Sequence, residues 1–352
     1  MSPASATRSK PAIGEFELIA RLARILAGSG QHESVLVGIG DDTAAALRVG
    51  SADLYTTDTM VDGVHFRAGQ TPWRDLGWKA MAVNLSDIAA MGGTPLYSLV
   101  TLGIPAGARA VDLLTMYRGI REITGRFGGR VVGGDIVRAP VLFVTVAMVG
   151  AASTVRGKPA LLLRSNARPG DLIAVTGTLG SSSAGLKAME RGLNSRPATR
   201  LARSHTRPSP RISEGQALVA AGVRTAMDVS DGLIGDLGKL CDASAVSAVV
   251  EAEAIPVSKD LRSLFPDDFL SYALGGGEDY ELLFTGPRAA IGRAMAALGP
   301  GMATVIGRVE KRGSRRRSSV SVIDGRGRPV VVERAGWDHL DAPQARSRGR
   351  PR

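Results

Sequence analysis

The chain has 352 residues and a formal net charge of +11, from 44 basic and 33 acidic side chains. This length allows two domains, each with its own core, and a hydrophobic content of 44% is typical of a globular protein. No apolar run approaches the roughly 20 residues of a membrane-spanning helix, and residues 1–11 lack the apolar stretch of a secretory signal. The single cysteine, Cys241, excludes an intramolecular disulfide and a cysteine-rich zinc site. We therefore expect a cytoplasmic protein.

The first half of the chain alternates predicted strands with amphipathic helices, after a segment, residues 1–12, that we expect to be disordered. Apolar side chains that recur at helical spacing predict the helices, and short apolar runs predict the strands. In chain order, the predicted elements are helix Glu15–Ala27, strands Val35–Ile39 and Leu54–Thr57, helix Trp78–Met91, strand Tyr97–Ile104, helix Val111–Phe127, and strands Arg130–Val132 and Val141–Val149.

The second half begins with a predicted crossing between domains, residues 151–169, which contains two prolines. The polar, proline-rich stretch 194–211 predicts a surface loop. The remaining pattern predicts strand 172–175, a helix ending near 191, helix 213–221, strand 225–229, helix 232–243, strands 246–250 and 281–285, helix 288–298 and strand 303–308.

These elements predict an α/β protein of two domains. Residues 13–150 form a mixed sheet with helices, and residues 151–340 form a second α/β domain. Residues 341–352 are a basic tail that we expect to be disordered. Basic runs in this tail and at Lys311–Arg317 are typical of solvated loops. Nucleic-acid binding stays open as an alternative, although no helix-turn-helix, zinc finger or aromatic-interleaved basic motif accompanies them.

Six short segments carry aspartate where a predicted strand or helix ends, and five of them contain glycine. Carboxylates gathered at loop mouths, beside glycines that let a backbone approach a ligand, indicate several hard cations and a polyphosphate. No P-loop is present, and no complete Gly-x-Gly-x-x-Gly motif opens a helix. The segments are residues 38–42, 56–63, 84–87, 133–135, 228–232 and 275–279.

Five of these aspartates are candidate Mg²⁺ ligands, with threonine oxygens as additional donors. Any single aspartate at such a position could instead cap a helix or a turn. Asp87 differs because it lies within an apolar helical pattern, where a carboxylate needs a partner. The candidate ligands are Asp42, Asp58, Asp87, Asp135 and Asp228, with Thr56 and Thr57.

Taken together, the motifs closely resemble those of the thiamine-monophosphate kinases, a family in the superfamily that includes aminoimidazole ribonucleotide synthetase. The resemblance runs in family order from residue 14 to about residue 340. The matching stretches are residues 14–16, 38–42, 57–66, 79–92, 133–135, 164–165, 169–180, 207–211, 228–237 and 276–282.

The resemblance implies the two-domain fold of that superfamily, a homodimer formed through strands of the first domain, and ATP-dependent phosphorylation of thiamine monophosphate to thiamine diphosphate. It implies that several Mg²⁺ ions assist a direct phosphoryl transfer, with Asp58, Asp87 and Asp135 as the catalytic carboxylates. The metal positions it implies are Asp42, Thr56, Thr57, Asp58, Asp87, Asp135, Asp228 and Asp231. The implied ATP contacts are Gly134, Asp135, Arg164 and Ser230, and the implied thiamine contacts are His65, Glu278 and Trp337.

Each of these contacts has a structural alternative. His65 could be a half-buried strand histidine, Arg164 a surface cation, and Glu278 a turn residue. Trp337 could pack at the C-terminus. The chain also departs from the family pattern at Ile136-Val137, where many members have two threonines. The side-chain contacts to ATP phosphates at this position are therefore in question.

Other functions also stay open. A purine-pathway synthetase or a selenophosphate synthetase of the same superfamily is the nearest enzymatic alternative. His65 and the segment 276–282 favour the thiamine enzyme over the first, and the absence of a cysteine near the N-terminus argues against the second. A nucleotide-sensing or nucleic-acid-associated protein is the alternative outside enzymes. The intact acidic set argues against it, because a protein that only binds does not need so many metal ligands.

Overall fold

The computed structural model describes Ile19 and residues 34–48, 50–313 and 320–332. The helix predicted over Glu15–Ala27, apart from Ile19, lies outside the described residues, as do both predicted disordered ends and Trp337. In the part of the chain described, no helix is long and apolar enough to cross a membrane. Cys241 is fully buried in an apolar cluster, as expected for a small hydrophobic side chain.

Six strands form the first sheet, in the order β1-β2-β3-β6-β4-β5. All neighbours are antiparallel except β4 and β5, which are parallel. The two helices of this half, α1 and α2, pack on each other, and α1 contacts β3 and β6. The elements are β1 Val35–Val37, β2 Ala44–Arg48, β3 Ser51–Val61, α1 Trp73–Ala90, β4 Thr94–Ile104, α2 Ala110–Phe127, β5 Arg130–Arg138 and β6 Phe143–Ala151.

Helices α1 and α2 are in contact at two glycines, one from each helix. A Cβ atom at Gly77 of α1 would lie 1.9 Å from the carbonyl oxygen of Met116, and one at Gly119 of α2 would lie 1.8 Å from that of Arg74. The two backbones therefore approach more closely than any larger residue would allow. Most of α1 is buried, including its polar residues Lys79 and Ser86.

A second six-stranded sheet has the order β10-β12-β9-β13-β11-β14. Its neighbours are antiparallel except β11 and β14. Between the sheets, β7 Ser153–Val155 and β8 Lys158–Ala160 form a hairpin, followed by a 3₁₀ turn at Arg164–Asn166. The other elements are β9 Leu172–Thr176, α3 Ser181–Glu190, α4 Arg196–Thr206, α5 Ile212–Ala220, β10 Thr225–Asp228, α6 Leu233–Ser244, β11 Val246–Glu251, α7 Lys259–Leu264, α8 Phe269–Gly275, β12 Leu282–Gly286, α9 Arg288–Leu298, β13 Ala303–Lys311 and β14 Val320–Ile323.

The prediction of a surface loop over 194–211 is wrong, because most of this stretch forms helix α4. Ser195 caps the helix by accepting a hydrogen bond from the Ala198 amide, and the proline at 197 lies in the first turn, where a missing N–H costs nothing. Leu201 and His205 lie one helical turn apart and are buried. The helix is thus amphipathic, and its many exposed basic residues concealed a narrow apolar face.

The two halves share their larger apolar core. Leu54 and Met81 of the first half belong to the same buried cluster as Leu218 and Phe284 of the second. A second cluster lies within the C-terminal half, around Leu233 and Val250. The larger core is therefore common to both halves, and the residues described between 34 and 332 belong to one compact unit. The domain boundary at residue 150 stays a prediction.

Candidate active site

Three carboxylates from distant parts of the chain converge where the two halves meet. Asp42 follows β1, Asp87 lies near the C-terminal end of α1, and Asp228 ends β10. Each offers a carboxylate oxygen, and these oxygens lie within 4.8 Å of one another. Asp42 is only 9% exposed and Asp228 only 3%. We call these three residues the acid cluster.

Neighbouring hydroxyl groups hold two members of the acid cluster in place. Ser86 Oγ donates a 2.6 Å hydrogen bond to Asp228 Oδ2, and Thr56 Oγ1 of β3 donates one to Asp87 Oδ2. Because Ser86 and Asp87 are adjacent on α1, one helix end positions both carboxylates. The result is a rigid set of oxygen donors on packed secondary structure rather than on loose loops.

Arg164 is the cation that contacts the third member. Its guanidinium donates to both oxygens of Asp42, at 2.6 Å and 3.2 Å, and its backbone amide donates to Asp41 Oδ2 at 3.1 Å. Burial, helped by the charge of Asp42, raises the pKa of Asp41 to about 7, although Arg164 opposes this rise. Arg164 therefore contacts two adjacent carboxylates, Asp42 through its guanidinium and Asp41 through its backbone amide.

The electrostatics of the acid cluster favour a bound cation. Burial raises the pKa of Asp87 well above its usual value, and the charges of Asp58, Asp228 and Asp42 raise it further. The pKa of Asp228 is raised in the same way, by burial and then by Asp42. Ionised carboxylates this close and this buried repel one another unless a positive ion lies between them. Oxygen donors from three elements suit a hard divalent ion such as Mg²⁺.

The other predicted metal ligands are placed differently. Thr56 contacts the acid cluster, and Asp58, two residues on along β3, is near enough to affect Asp87. Thr57 is exposed and donates to the Val146 carbonyl of β6 at 3.0 Å. Asp135 is exposed on β5, and its Oδ1 accepts from the amide of Ile136 at 2.8 Å.

Asp231 is also outside the acid cluster, because it is paired with a lysine. Lys239 Nζ of α6 donates to Asp231 Oδ2 and, at 2.7 Å, to Asp236 Oδ1. The other oxygen of Asp236 accepts hydrogen bonds from the backbone amides of Ser230, Asp231 and Gly232, at 2.9 Å to 3.1 Å. Sequence reasoning missed Asp236 and Lys239, which fix the loop after β10. A charged pair at helical spacing within an apolar helix was the available signal.

Gly134, one of the predicted ATP contacts, has a packing role of its own. A Cβ atom at this position would lie 1.9 Å from the Val100 carbonyl oxygen of β4. Its φ of 157° is also one that other residues rarely adopt. The glycine therefore lets β5 pair closely with β4 and places Asp135 beside Thr101 in the sheet register.

Of the predicted thiamine contacts, Glu278 lies in the loop between α8 and β12, and His65 lies in the segment that follows β3. Glu278 and Tyr280 in this loop both have positive φ, of 66° and 53°. The Glu278 amide donates to Ser230 O at 2.7 Å, and the Tyr280 amide donates to Val229 O at 2.9 Å, so the loop is attached to the residues that follow Asp228. His65 accepts a 3.0 Å hydrogen bond from the Val61 amide through Nδ1.

Sequence reasoning also missed the residues that surround Glu278. Lys79 Nζ lies 2.7 Å from Glu278 Oε1, and His205 Nδ1 lies 3.3 Å from Glu278 Oε2. Lys79 is only 2% exposed although it is a lysine within an apolar helix. That pattern is the same signal that pointed to Asp87, and it could have found Lys79 too.

Comparisons with known proteins show which family the chain is similar to. Residues 40–152 match the N-terminal domain, and residues 168–318 the C-terminal domain, of the AIR synthase related proteins. The thiamine-monophosphate kinase of Escherichia coli K12 is 38% identical over 346 residues, which cover 94% of this chain and all of the relative. That of Bacillus subtilis is 39% identical over 278 residues, covering 77% of this chain and 83% of the relative.

Solved structures give the same relationship. The structure described as AaThiL complexed with AMPPCP and TMP superposes with a TM-score of 0.79 at 32% identity, covering 95% of this chain and all of that one. The hydrogenase maturation protein HypE, at 21% identity and a TM-score of 0.65, shares the fold. Identity above 30% over nearly the whole length of these kinases shows that the chain belongs to the thiamine-monophosphate kinase family.

Proposed function

We propose that this chain is a thiamine-phosphate kinase. It transfers the γ-phosphoryl group of ATP to the phosphate of thiamine monophosphate and so makes thiamine diphosphate in the last step of thiamine diphosphate biosynthesis. The observation that carries the proposal is the acid cluster, three carboxylates within 4.8 Å, in a chain whose relative was solved with AMPPCP and TMP. A nucleotide and a thiamine phosphate are the ligands that the predicted chemistry needs.

Mg²⁺ is the cofactor that we propose for the acid cluster, with Asp42, Asp87 and Asp228 as its principal ligands. Bound there, Mg²⁺ would neutralise the charge that develops on the phosphate oxygens during transfer. Thr56 and Asp58 would complete the site from β3. Metal roles for Thr57, Asp135 and Asp231 stay predictions.

The chain's own residues would contribute mainly alignment. The acceptor is already a phosphate oxygen, which is anionic at neutral pH, so the reaction needs no strong general base. Arg164 lies beside Asp42 and can donate through its fork to phosphate oxygens as well as to carboxylates. Gly134, Asp135 and Ser230 stay predicted ATP contacts. His65, Glu278 and Trp337 stay predicted contacts to the thiamine moiety.

A homodimer is part of the proposal, because one face of the first sheet carries exposed apolar side chains. Tyr97 is 55% exposed, Leu99 51% and Val132 59%. With Tyr55 and Met148 they line a depression of about 540 Å³. Contiguous apolar surface on a sheet face is typical of an interface with another chain. We propose a second copy of this chain as its occupant, and the cytoplasm as the location.

A product assay tests the proposed function. The protein is incubated with ATP, Mg²⁺ and thiamine monophosphate, and a parallel reaction contains free thiamine as the competing acceptor. We expect thiamine diphosphate and ADP in equal amounts from the first reaction and no phosphorylated product from the second. The Asp87→Ala variant controls for a contaminating kinase. Absence of thiamine diphosphate from the wild-type reaction would refute the proposal.

A further inference from the structure

A second group of charged and polar side chains, separate from the acid cluster, surrounds Glu278. The Lys79 ammonium lies 2.7 Å from Glu278 Oε1 and 3.4 Å from His205 Nε2. His205 Nδ1 lies 3.3 Å from Glu278 Oε2 and 3.1 Å from Ser182 Oγ. These four residues come from α1, α3, α4 and the loop before β12. Lys79 and His205 are 2% and 7% exposed, whereas the Glu278 side chain is 29% exposed.

The hydrogen-bond pattern defines the charge on each member. An ammonium group only donates, so Lys79 donates to Glu278 Oε1 and to His205 Nε2. In a neutral imidazole the other nitrogen then carries the proton, so Nδ1 donates to Ser182 Oγ at 3.1 Å and lies 3.3 Å from Glu278 Oε2. Burial, followed by the charge of Lys79, lowers the pKa of His205 to about 4, which agrees with a neutral ring. The group therefore contains one cation, one anion and one neutral histidine.

The backbone at Glu278 is held in a conformation that it would not adopt alone. Its φ of 66° is left-handed, which is uncommon for a residue other than glycine, and Tyr280 two residues later has a φ of 53°. Such conformations persist only where the surroundings impose them, and they concentrate at ligand sites. Here the ion pair with Lys79 and the hydrogen bond from the Glu278 amide to Ser230 O hold this conformation.

We propose that Lys79 and His205 are positioning residues, which hold the Glu278 carboxylate in one orientation at the thiamine side of the active site. This inference rests on the proposed function. The negative charge of Glu278 is balanced within the protein, so its contact with the substrate is a hydrogen bond and not an ion pair with the cationic thiazolium. A carboxylate has four lone-pair sites, and Lys79 uses one of them. The remaining lone-pair sites can accept a hydrogen bond from an N–H group such as the amino group of the aminopyrimidine.

Steady-state kinetics on the full-length enzyme test the inference. Initial rates are measured with thiamine monophosphate and ATP varied separately, in the wild type, Lys79→Met, Glu278→Gln and the double variant. We expect Lys79→Met to raise the KM for thiamine monophosphate by about 10- to 100-fold, since a misplaced contact has effects of this size. The KM for ATP should stay within about twofold, because Lys79 lies about two helical turns from Asp87 along α1 and contacts Glu278 rather than the acid cluster. The double variant should be no worse than Glu278→Gln alone, because Lys79 acts through Glu278.

Lys187→Met is the matched control. Lys187 also forms an ion pair, with Glu190, but it is exposed on α3, and its replacement should change neither KM. If Lys79→Met does not fold, His205→Gln tests the same inference, because it removes the second support of Glu278 and should also raise only the KM for thiamine monophosphate.

Two results would overturn the inference. One is an equal rise of both KM values, and the other is an additive effect of Lys79→Met and Glu278→Gln. Either result in a wild-type enzyme that makes thiamine diphosphate refutes the positioning role and leaves the proposed function intact. A wild-type enzyme that makes no thiamine diphosphate refutes the function instead.

Discussion

Ser86 and Asp228 are 142 residues apart in the chain, yet Ser86 Oγ donates a 2.6 Å hydrogen bond to Asp228 Oδ2. Ser86 precedes Asp87, so the end of α1 supplies one carboxylate of the acid cluster directly and fixes another through its hydroxyl. The first half of the chain therefore sets the geometry of a carboxylate that the second half provides. The proposed activity depends on this junction.

Removal of single carboxylates should abolish turnover without unfolding the protein. We expect Asp87→Ala and Asp58→Ala each to lower kcat by at least about 100-fold, because each removes charge that holds the proposed Mg²⁺. Far-UV circular dichroism should be unchanged. Asp260→Ala, which breaks a surface ion pair with Arg200, is the control and should retain activity. Near-normal turnover in either test variant would contradict the metal assignment.

Mg²⁺ should stabilise the protein through the acid cluster. A ligand that binds only the folded state at 100 times its Kd adds about 2.7 kcal/mol, so Tm should rise with Mg²⁺ in the wild type. Asp228→Asn should show little or no rise. Without Mg²⁺ this variant should melt at or above the wild-type temperature, because burial disfavours the Asp228 charge and raises its pKa. Differential scanning calorimetry with and without EDTA measures both effects.

His205 should make stability depend on pH with a defined sign. Its pKa is lowered from 6.5 to about 4, first by burial and then by Lys79, so the unfolded chain binds the proton more readily. Stability is therefore complete above pH 6.5, falls as the pH drops from 6.5 to 4, and loses nothing further from this residue below 4. The loss is at most about 3 kcal/mol.

Comparison with His205→Gln isolates this effect. Asp41 and Asp279 have pKa values raised to about 7, mainly by burial, and they act in the opposite direction over the same range. The free energy of unfolding should therefore fall more steeply on acidification in the wild type than in the variant. Parallel profiles in urea titrations between pH 4 and pH 7 would show that His205 is not the group responsible.

Replacing two glycines of α2 with alanine should change the free energy of unfolding in opposite directions. Gly119 has no room for a Cβ atom, which would lie 1.8 Å from the Arg74 carbonyl oxygen, so Gly119→Ala should cost about 1–3 kcal/mol or more. Gly125 has no atom within 4 Å of such a Cβ, and Gly125→Ala should stabilise the helix by about 0.5–1 kcal/mol. Urea unfolding of both variants measures the difference, and equal effects would contradict the close α1–α2 contact.

The apolar face of the first sheet should mediate dimerisation. We expect Leu99→Lys to shift the protein towards monomer in size-exclusion chromatography with light scattering, because it places a charge in the proposed interface. Leu114→Lys on α2 introduces the same charge at a residue that is 61% exposed, compared with 51% for Leu99, and should leave the oligomeric state unchanged. A wild-type monomer would remove the dimer from the proposal.

Much of the architecture could be predicted from the sequence because local patterns dominate there. The α2 and α9 helices begin within one residue of prediction, since their apolar spacing is regular. Helix α4 could not be recognised from the sequence, because basic residues dominate it. Its narrow apolar face packs against α3 and α7. β5 continues to Arg138, well past the predicted end at Val132, because pairing with β4 stabilises exposed residues that lack a strand pattern.

The candidate site shows the same division. Asp42, Asp87 and Asp228 could be proposed as a group because each lies in a distinctive local motif, and the structure brings them together. The supporting contacts depend on side chains far apart in the chain. Lys79 with Glu278, and Ser86 with Asp228, are such contacts. No local pattern encodes the distance between them, so only the folded chain reveals which carboxylates are already paired.

The core that joins Leu54 and Phe284 has a consequence for how this enzyme can be divided. A cut near residue 150 would leave both fragments with apolar surface that neither could cover, so we expect insoluble pieces rather than two working modules. Intact, the two halves should melt together in one cooperative transition. The evolution of each half is then tied to that of the other. Replacing one half with that of a distant relative would require matching substitutions in the shared apolar core.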